Sequence, residues 1–167
     1  MNSKIAVLGC GAWATTIANQ VCKNGYDVKL WAYKQDIVDE MNIKRIRKKI
    51  PNVVLEPNLK VFLSIEEVLT DVNAIILCVP SKFLSTTLEL WKPFYNKNIP
   101  ILSLIKGIVS ENNMLLTDYL DNYFQDPKIS VLSGPNLASE ISLGKPAASV
   151  VASKDNTMGE ANMVHIE

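Results

Sequence analysis

The sequence has little of the chemistry that builds metal centres and disulfide frameworks. It contains three cysteines and one histidine in 167 residues. Cys10, Cys22 and Cys78 lie in apolar segments at spacings that form no C-x-x-C pair, so we expect neither a disulfide framework nor a metal site. This use of cysteine favours a reducing cytoplasm.

Long apolar runs and an excess of one charge are also missing. The longest uninterrupted apolar run, AIILCV at residues 74–79, is too short to cross a bilayer, and the first four residues lack a signal-peptide layout. The 17 basic and 17 acidic residues cancel, so no global field would draw the chain to nucleic acid or an anionic membrane. We therefore expect a soluble cytoplasmic protein with neither as a partner.

One local exception to the charge balance is KRIRKK at residues 44–49, which holds five of the 17 basic residues. Such a run is compatible with a polyanion-binding patch or with the solvated end of a helix. We expect the solvated helix end, because a charge run of this length usually faces water.

Composition and periodicity favour one packed α/β domain. Hydrophobic residues make up 48% of the chain, and short apolar runs alternate with helical patterns. This alternation predicts a doubly wound, mainly parallel sheet with helices on its faces. The predicted strands are 4–8, 27–32, 60–62, 74–79, 101–104, 129–132 and 148–152. The predicted helices are one between the first two strands, ending at Asn24–Gly25, and others at 35–44, 64–69, 82–91 and 113–124.

The stretch GCGAWA at residues 9–14 has the pattern G-x-G-x-x-A, and it joins the first predicted strand to the first predicted helix. Gly9 permits a tight turn, and Gly11 lets the backbone approach a pyrophosphate at the helix N-terminus. Ala14 still allows close packing of helix and strand. A tight turn without a ligand is the alternative, but the context favours a dinucleotide site.

The end of the second predicted strand bears on which nucleotide would bind. A carboxylate there would bind an adenosine 2′-hydroxyl and exclude a 2′-phosphate, but the segment is LWAYK at residues 30–34. Tyr33 could lie against adenine, and Lys34 could meet a 2′-phosphate as a point charge. Alternatively, both are ordinary surface residues. NAD and NADP therefore both stay open as cofactors.

Three further segments, CVPSKF, SLIKG and VLSGPNLASE, follow predicted strands, at the edge where open α/β sheets bind ligands. Lys106 could donate to a phosphate or polarise a carbonyl, or simply be exposed. Phe83 could pack on a nicotinamide, although position alone favours a core-facing aromatic. Gly134 and Pro135 predict a turn, and Asn136 could cap a helix whose N-terminus holds a second anion.

Five segments together carry a resemblance: KIAVLGCGAWATTIA, VKLWAY, VPSKFL, LIKGI and SVLSGPNLASEI. In this order and at these intervals the chain resembles the cofactor-binding half of the glycerol-3-phosphate dehydrogenases. The resemblance implies NAD(P)H-dependent interconversion of dihydroxyacetone phosphate and sn-glycerol 3-phosphate, a reaction of glycerophospholipid metabolism. It also implies a Rossmann-type fold, a phosphorylated three-carbon substrate and a homodimer for the full-length parent.

The resemblance assigns roles residue by residue. Positions that match cofactor contacts are Gly9, Gly11, Ala12, Trp13, Ala14, Tyr33, Phe83, Lys106 and Ala138, and the sequence adds Lys34. Positions that match the substrate side are Lys106, Gly134 and Asn136. The chain departs from the usual family residues at Ala12, Ala14, Tyr33 and Asn136, and Tyr33 weakens any inference of an NADP preference from bacterial relatives.

Members of the resembled family continue into a helical second domain that closes the substrate cleft and carries a catalytic lysine. We expect residues 1–167 to form one NAD(P)-binding domain, incomplete at its C-terminal end, without that second domain and without a catalytic residue of its own. His165 is expected to be exposed.

Two other functions remain open at this point. A free-standing NAD(H)-sensing module would use the same β-α-β unit without chemistry. A different two-domain dehydrogenase, acting on a hydroxy acid or an imine, would share the nucleotide loop but would have no phosphate-seeking site.

Overall fold

A computed structural model describes residues 3–106, 108–109 and 113–154 of the chain. The strands in this part are β1 (Lys4–Leu8), β2 (Asp27–Trp31), β3 (Leu59–Phe62), β4 (Ala74–Leu77), β5 (Ile101–Ser103), β6 (Ile108–Val109), β7 (Met114–Leu115), β8 (Ile129–Ser133) and β9 (Val150–Ser153). The α-helices are α1 (Ala12–Lys23), α2 (Gln35–Ile43), α3 (Ile65–Leu69), α4 (Leu84–Trp91), α5 (Leu116–Phe124) and α6 (Ala138–Ile141). Short 3-10 helices cover Ser81–Phe83 and Lys92–Phe94.

The main sheet has seven strands in the order β3-β2-β1-β4-β5-β8-β9. Its pairs are parallel except for β8 with β9, which is antiparallel. After β3 the chain returns to the open side of β1, and such a reversal of strand order creates a crevice at the carboxyl ends of the strands. The predicted doubly wound, mainly parallel, Rossmann-type sheet is confirmed, with the glycine motif at the carboxyl end of a central strand.

Side chains of β1 alternate between the two faces of the sheet, as strand geometry requires. Ile5 and Val7 belong to a core that also contains buried residues of α1 and α2. Ala6 and Leu8 belong to a second core, covered by α3, α4 and α5. Because β1 is buried on both faces, its sequence is a continuous apolar run rather than an alternating one.

Helix α1 ends where its sequence predicts. Ile17, Ala18 and Val21 form part of a buried stripe at the spacing of one helical face. The helix ends where Asn24 caps it and Gly25 adopts a φ of 88°, a conformation that glycine adopts at no steric cost.

Three elements begin two or more residues later than predicted. α5 begins at Leu116 rather than at residue 113, because β7 pairs with β6 in a small antiparallel ladder. α4 begins at Leu84, since residues 81–83 form a 3-10 turn after Pro80. The last strand begins at Val150, two residues later than predicted, and pairs with β8 through residue 153.

The interpretation of residues 44–49 as a solvated helix end is wrong for its two arginines. α2 ends at Ile43, and the following segment, here called the 44–58 loop, packs beside α1, where Asn19 Oδ1 accepts the backbone N–H of Glu56 at 2.7 Å. Arg45 donates to backbone carbonyls of this loop, and Arg47 is buried. The arginines therefore satisfy backbone groups inside the fold.

Within the described ranges, no helix has the length and apolar character needed to cross a membrane. In the same part of the chain, no group of three or more His, Cys, Asp or Glu residues could hold a metal ion. His165 lies outside the described residues.

Candidate functional site

Every residue assigned to the site lies in a segment that follows a parallel strand of the main sheet, at its carboxyl edge. The segments are residues 9–14 after β1, residues 33–34 after β2, Phe83 after β4, Lys106 after β5 and residues 134–138 after β8. Residues far apart in sequence are thus brought to one edge, because parallel strands all end on the same side.

The glycine loop, residues 9–11, has two glycines with different surroundings. Gly9 has a φ of 130°, and a Cβ on it would stand 2.3 Å from the carbonyl oxygen of Cys78, so no larger residue fits. Gly11 has ordinary backbone angles, and a Cβ on it would have no atom within 4 Å. The backbone of another segment therefore occupies the space of a side chain at Gly9, whereas the corresponding space at Gly11 is open.

Helix α1 begins directly after this opening. Its N-cap is Gly11, which has no side chain to accept hydrogen bonds from the first turn, and this turn contains no acidic residue. The first N–H groups and the positive end of the helix dipole are thus available to an anion. Ala14 is fully buried against the core, and Ala12 and Trp13 are partly buried there.

Tyr33 and Lys34 follow β2 and are both exposed. The Tyr33 ring is 59% accessible, and Lys34 Nζ lies 5.6 Å from the ring centroid. The nearest following carboxylate, Asp36, is in the first turn of α2, where it accepts a hydrogen bond from Ile37 N–H at 3.0 Å. The segment offers an aromatic surface and a positive charge.

Phe83 lies at the opposite side of the glycine loop, in the turn after β4. Its side chain is 52% exposed and Lys82 Nζ is 4.8 Å from the ring centroid. The expectation from position alone, a core-facing aromatic, is wrong because Leu84 and Leu88 fill the buried positions of this helix.

Lys106 and Gly134 meet across the ends of β5 and β8. Lys106 Nζ donates to the Gly134 carbonyl oxygen at 3.1 Å, and the side chain is otherwise exposed. Gly134 is itself closely packed, since a Cβ there would stand 2.6 Å from the Ala148 carbonyl oxygen. An ammonium has three donors, so Lys106 keeps N–H groups for a ligand.

Asn136 does not cap a helix, contrary to the sequence interpretation. The N-cap of α6 is Leu137, and α6 has only four residues, so it offers no second anion site. Asn136 is buried instead, and its Nδ2 donates to Ser149 Oγ at 2.7 Å. The side chain thus ties the turn after β8 to the segment before β9.

Ala138 is joined to the helix of the glycine loop. Thr16 Oγ1 donates to the Ala138 carbonyl oxygen at 3.4 Å, and Thr16 is buried in α1. The segment after β8 is therefore held close to the first turns of α1.

The thiols near the loop are protonated. Burial raises the pKa of Cys10, against the opposing effects of the Tyr33 backbone amide and the charges of Arg47 and Lys49. Burial also raises the pKa of Cys78 to about 12. Neither thiol supplies a thiolate nucleophile near neutral pH.

Residues 4–159 match the family described as NAD-dependent glycerol-3-phosphate dehydrogenase N-terminus. The chain belongs to this family. The resemblance drawn from the five sequence segments is confirmed.

Relatives of the chain are glycerol-3-phosphate dehydrogenases about twice its length. The chain is 34% identical over 157 residues to glycerol-3-phosphate dehydrogenase [NAD(P)+] 2 of Mycobacterium tuberculosis, covering 92% of this chain and 47% of the relative. It is 34% identical over 166 residues to the Geobacter sulfurreducens enzyme, covering 96% and 49%. The crystal structure of the Coxiella burnetii dehydrogenase superposes with a TM-score of 0.90 at 28% identity, covering 96% and 49%.

The structure connects two residues to the glycine loop that were not identified from the sequence, Arg47 directly and Glu40 through Arg47. Arg47 Nε donates to the Cys10 carbonyl oxygen in the glycine loop, and Arg47 Nη1 donates to Glu40 Oε1. The density of positive charge at 44–49 was the available signal, but a local pattern does not show which distant carbonyl an arginine will reach.

Proposed function

We propose that this chain is the cofactor-binding half of an enzyme that interconverts dihydroxyacetone phosphate and sn-glycerol 3-phosphate with NAD or NADP. The observation that carries the proposal is one sheet edge that holds the glycine loop, Lys106 and the turn at 134–138, in a member of this dehydrogenase family.

The residues at this edge fit a dinucleotide. The open space before Gly11 and the uncapped start of α1 suit a pyrophosphate, and the exposed rings of Tyr33 and Phe83 suit adenine and nicotinamide. When bound, the nicotinamide supplies or accepts a hydride. The residues we assign to the cofactor are Gly9, Gly11, Ala12, Trp13, Ala14, Tyr33, Lys34, Phe83, Lys106 and Ala138.

We assign the substrate side to Lys106, Gly134 and Asn136. The Lys106 ammonium would bind a phosphate or carbonyl oxygen, since its hydrogen bond to Gly134 leaves donors free and fixes its direction. Asn136 would act by holding the turn that carries Gly134, through its bond to Ser149.

No residue of this chain is assigned as the proton donor to the developing alkoxide. We infer that this donor, and the wall that closes the substrate cleft, belong to the part of the family's enzymes that lies beyond these residues. We also propose a homodimeric, cytoplasmic parent with a role in glycerophospholipid metabolism, for which the three free thiols support a reducing compartment.

A ligand panel tests the proposal through protection against thermal unfolding. NADH is expected to raise the unfolding midpoint, and dihydroxyacetone phosphate or sn-glycerol 3-phosphate to raise it further when NADH is present. Glycerol and dihydroxyacetone, which lack the phosphate, should add nothing. Lys106→Ala should remove the phosphate-dependent part, whereas Lys128→Ala, an exposed lysine at the opposite edge of the sheet, should not.

Other outcomes identify the other functions. Binding of NADH with no response to any three-carbon ligand favours a sensing module, and protection by a hydroxy acid or an imine favours another dehydrogenase. A chain that is folded but does not bind NADH contradicts the proposal.

Turnover gives a separate prediction. The 167-residue chain mixed with NADH and dihydroxyacetone phosphate should show no NADH oxidation above the blank, because loss of a general acid alone costs a factor of about 10²–10⁴. Loss of the closing wall also removes positioning and exclusion of water. Sustained oxidation that Lys106→Ala abolishes would place the proton donor among the residues described here.

A further inference from the structure

The glycine loop contains almost nothing that could hold its own shape. Its only side chain is the thiol of Cys10, since glycine has none. Contacts from other segments hold the loop: the Tyr33 backbone amide interacts with the Cys10 thiol, Gly9 lies against the Cys78 carbonyl, and the Cys10 carbonyl accepts a hydrogen bond from Arg47. The last of these contacts comes from a residue 37 positions away.

Arg47 is held from its other side by Glu40. Arg47 Nε lies 3.1 Å from the Cys10 carbonyl oxygen, and Arg47 Nη1 lies 3.0 Å from Glu40 Oε1. The same Glu40 oxygen accepts the backbone N–H of Lys48 at 3.1 Å. Because Arg47 is only 7% exposed and its guanidinium is planar, its direction is fixed on both sides.

The Cys10 carbonyl and the Gly11 N–H belong to one peptide unit, which is planar and here trans. A donor that fixes the carbonyl therefore fixes the direction of the Gly11 N–H on the other side of the same plane. A charged donor on the carbonyl also polarises the peptide and strengthens its N–H as a donor.

We propose that Arg47 is a positioning residue for the dinucleotide, which sets the Gly11 N–H toward the pyrophosphate by holding the Cys10 carbonyl. The proposal rests on the proposed function, because it requires a pyrophosphate at the glycine loop. The ligand chemistry is that of a nucleoside diphosphate, and the nicotinamide takes no part in it.

Arg45, two residues earlier, provides a comparison within the same loop. Its Nη1 donates to the Leu59 carbonyl at 2.9 Å and its Nε to the Leu55 carbonyl at 3.3 Å, and none of its hydrogen bonds within the described part of the chain reaches the glycine loop. Arg45 thus ties the 44–58 loop to β3. If Arg47 also served only to stabilise this loop, its substitution would have the same effect as substitution of Arg45, namely a loss of thermal stability without a specific loss of affinity for the dinucleotide.

The test compares Arg47→Lys with Arg45→Lys in the 167-residue chain. Dissociation constants for NADH and for ADP are measured by titration, and stability by thermal unfolding. Lysine keeps the charge but cannot hold the Cys10 carbonyl and Glu40 with the geometry of a guanidinium. Arg47→Lys is expected to weaken NADH and ADP alike by about tenfold, and Arg45→Lys by less than about twofold, at comparable losses of thermal stability.

The outcomes separate this inference from the proposed function. Equal affinities in the two variants, with tight binding to the wild-type chain, would show that Arg47 is only structural and leave the proposed function intact. A loss confined to NADH, with ADP unaffected, would also overturn the inference. A wild-type chain that binds neither ligand would remove the proposed function and this inference together.

Glu40→Gln keeps the test decisive if Arg47→Lys does not fold. This variant retains an acceptor for Arg47 but removes the charge that orients it. NADH and ADP affinities are expected to fall by the same factor, about threefold. Unchanged affinities for both ligands in a folded Glu40→Gln chain would overturn the inference.

Discussion

Gly9 and Gly11 are separated by one residue, but the surroundings that require a glycine differ. Gly9 has a left-handed φ and lies against the Cys78 carbonyl of the neighbouring strand end, so the protein itself fills the space of a side chain. At Gly11 nothing in the described residues fills that space. The fold therefore requires a glycine at position 9, whereas at position 11 the requirement comes from the ligand site that we propose.

Substitution by alanine should separate these two roles. Gly9→Ala is expected to destabilise the chain by about 2 kcal/mol or more, because the new Cβ meets a backbone carbonyl at a strained φ. Gly11→Ala and Gly11→Val should both leave stability nearly unchanged. Gly11→Ala should weaken NADH binding, and the larger side chain of Gly11→Val should abolish it. Urea unfolding and NADH titration measure the two effects. A folded Gly11→Val chain with wild-type affinity for NADH would give this loop another role.

Tyr33 and Lys34 determine a second prediction at this scale, which concerns the adenosine 2′ position. Neither residue is a carboxylate, and Lys34 is exposed beside the Tyr33 ring. We expect the chain to bind NADH and NADPH within about tenfold of each other, or roughly 1.4 kcal/mol. Dissociation constants measured side by side check this, and a thousandfold difference would mean that another residue, such as Asp36, discriminates.

At the scale of elements, α2, the 44–58 loop and the glycine loop are joined through the ion pair of Glu40 and Arg47. The Lys48 backbone amide, followed by the Arg47 guanidinium, holds the pKa of Glu40 below its ordinary value of 4.5 despite partial burial. The carboxylate therefore stabilises the fold while it is ionised.

The sign of this pH dependence follows from the lowered pKa. The difference in unfolding free energy between wild type and Glu40→Gln should be constant above about pH 5.5, then shrink as pH falls below 4.5 and through the lower pKa of the folded state. Denaturant unfolding of both chains across this range measures it. A difference that grows on acidification, or that does not change, contradicts the assignment of Glu40.

Elements with local signals could be predicted from the sequence, and elements that depend on distant partners could not. The apolar run of β1 predicts that strand with the observed bounds, and the periodicity of α1 predicts that helix with the observed end. The antiparallel direction of β9 depends on its pairing with β8, and the start of α5 depends on the β6-β7 ladder. For the candidate site, strand ends predicted where Tyr33, Phe83 and Lys106 lie, whereas the role of Arg47 required the fold.

At the scale of the whole molecule, the sheet separates two apolar cores. Trp91 is fully buried in the core under α4 and α5, with its ring centroid 5.3 Å from that of Tyr95 and 4.9 Å from that of Phe124. The face that carries α1 and the 44–58 loop uses a different set of residues. Stability and cofactor affinity should therefore be separable by mutation.

Trp91→Ala tests this separation. Removing the ring is expected to cost about 3–5 kcal/mol of unfolding free energy, because it leaves a cavity in a packed core. NADH affinity of the folded fraction should stay within about twofold of the wild-type value. Leu90→Ala, at the half-exposed neighbouring position, is the control and should cost less than about 1 kcal/mol. A loss of affinity in Trp91→Ala would mean that the two cores are coupled through the sheet.

The order of the strands also has a consequence for how the chain can fold as it is synthesised. β1 emerges first and becomes the middle of the sheet, with β2 and then β3 on one side and β4, β5, β8 and β9 on the other. Each new strand is thus added to a free edge, and no ladder already formed has to open to admit a later strand. Because synthesis proceeds from the N-terminus, the strands become available in an order that allows the sheet to be built outward by edge addition alone.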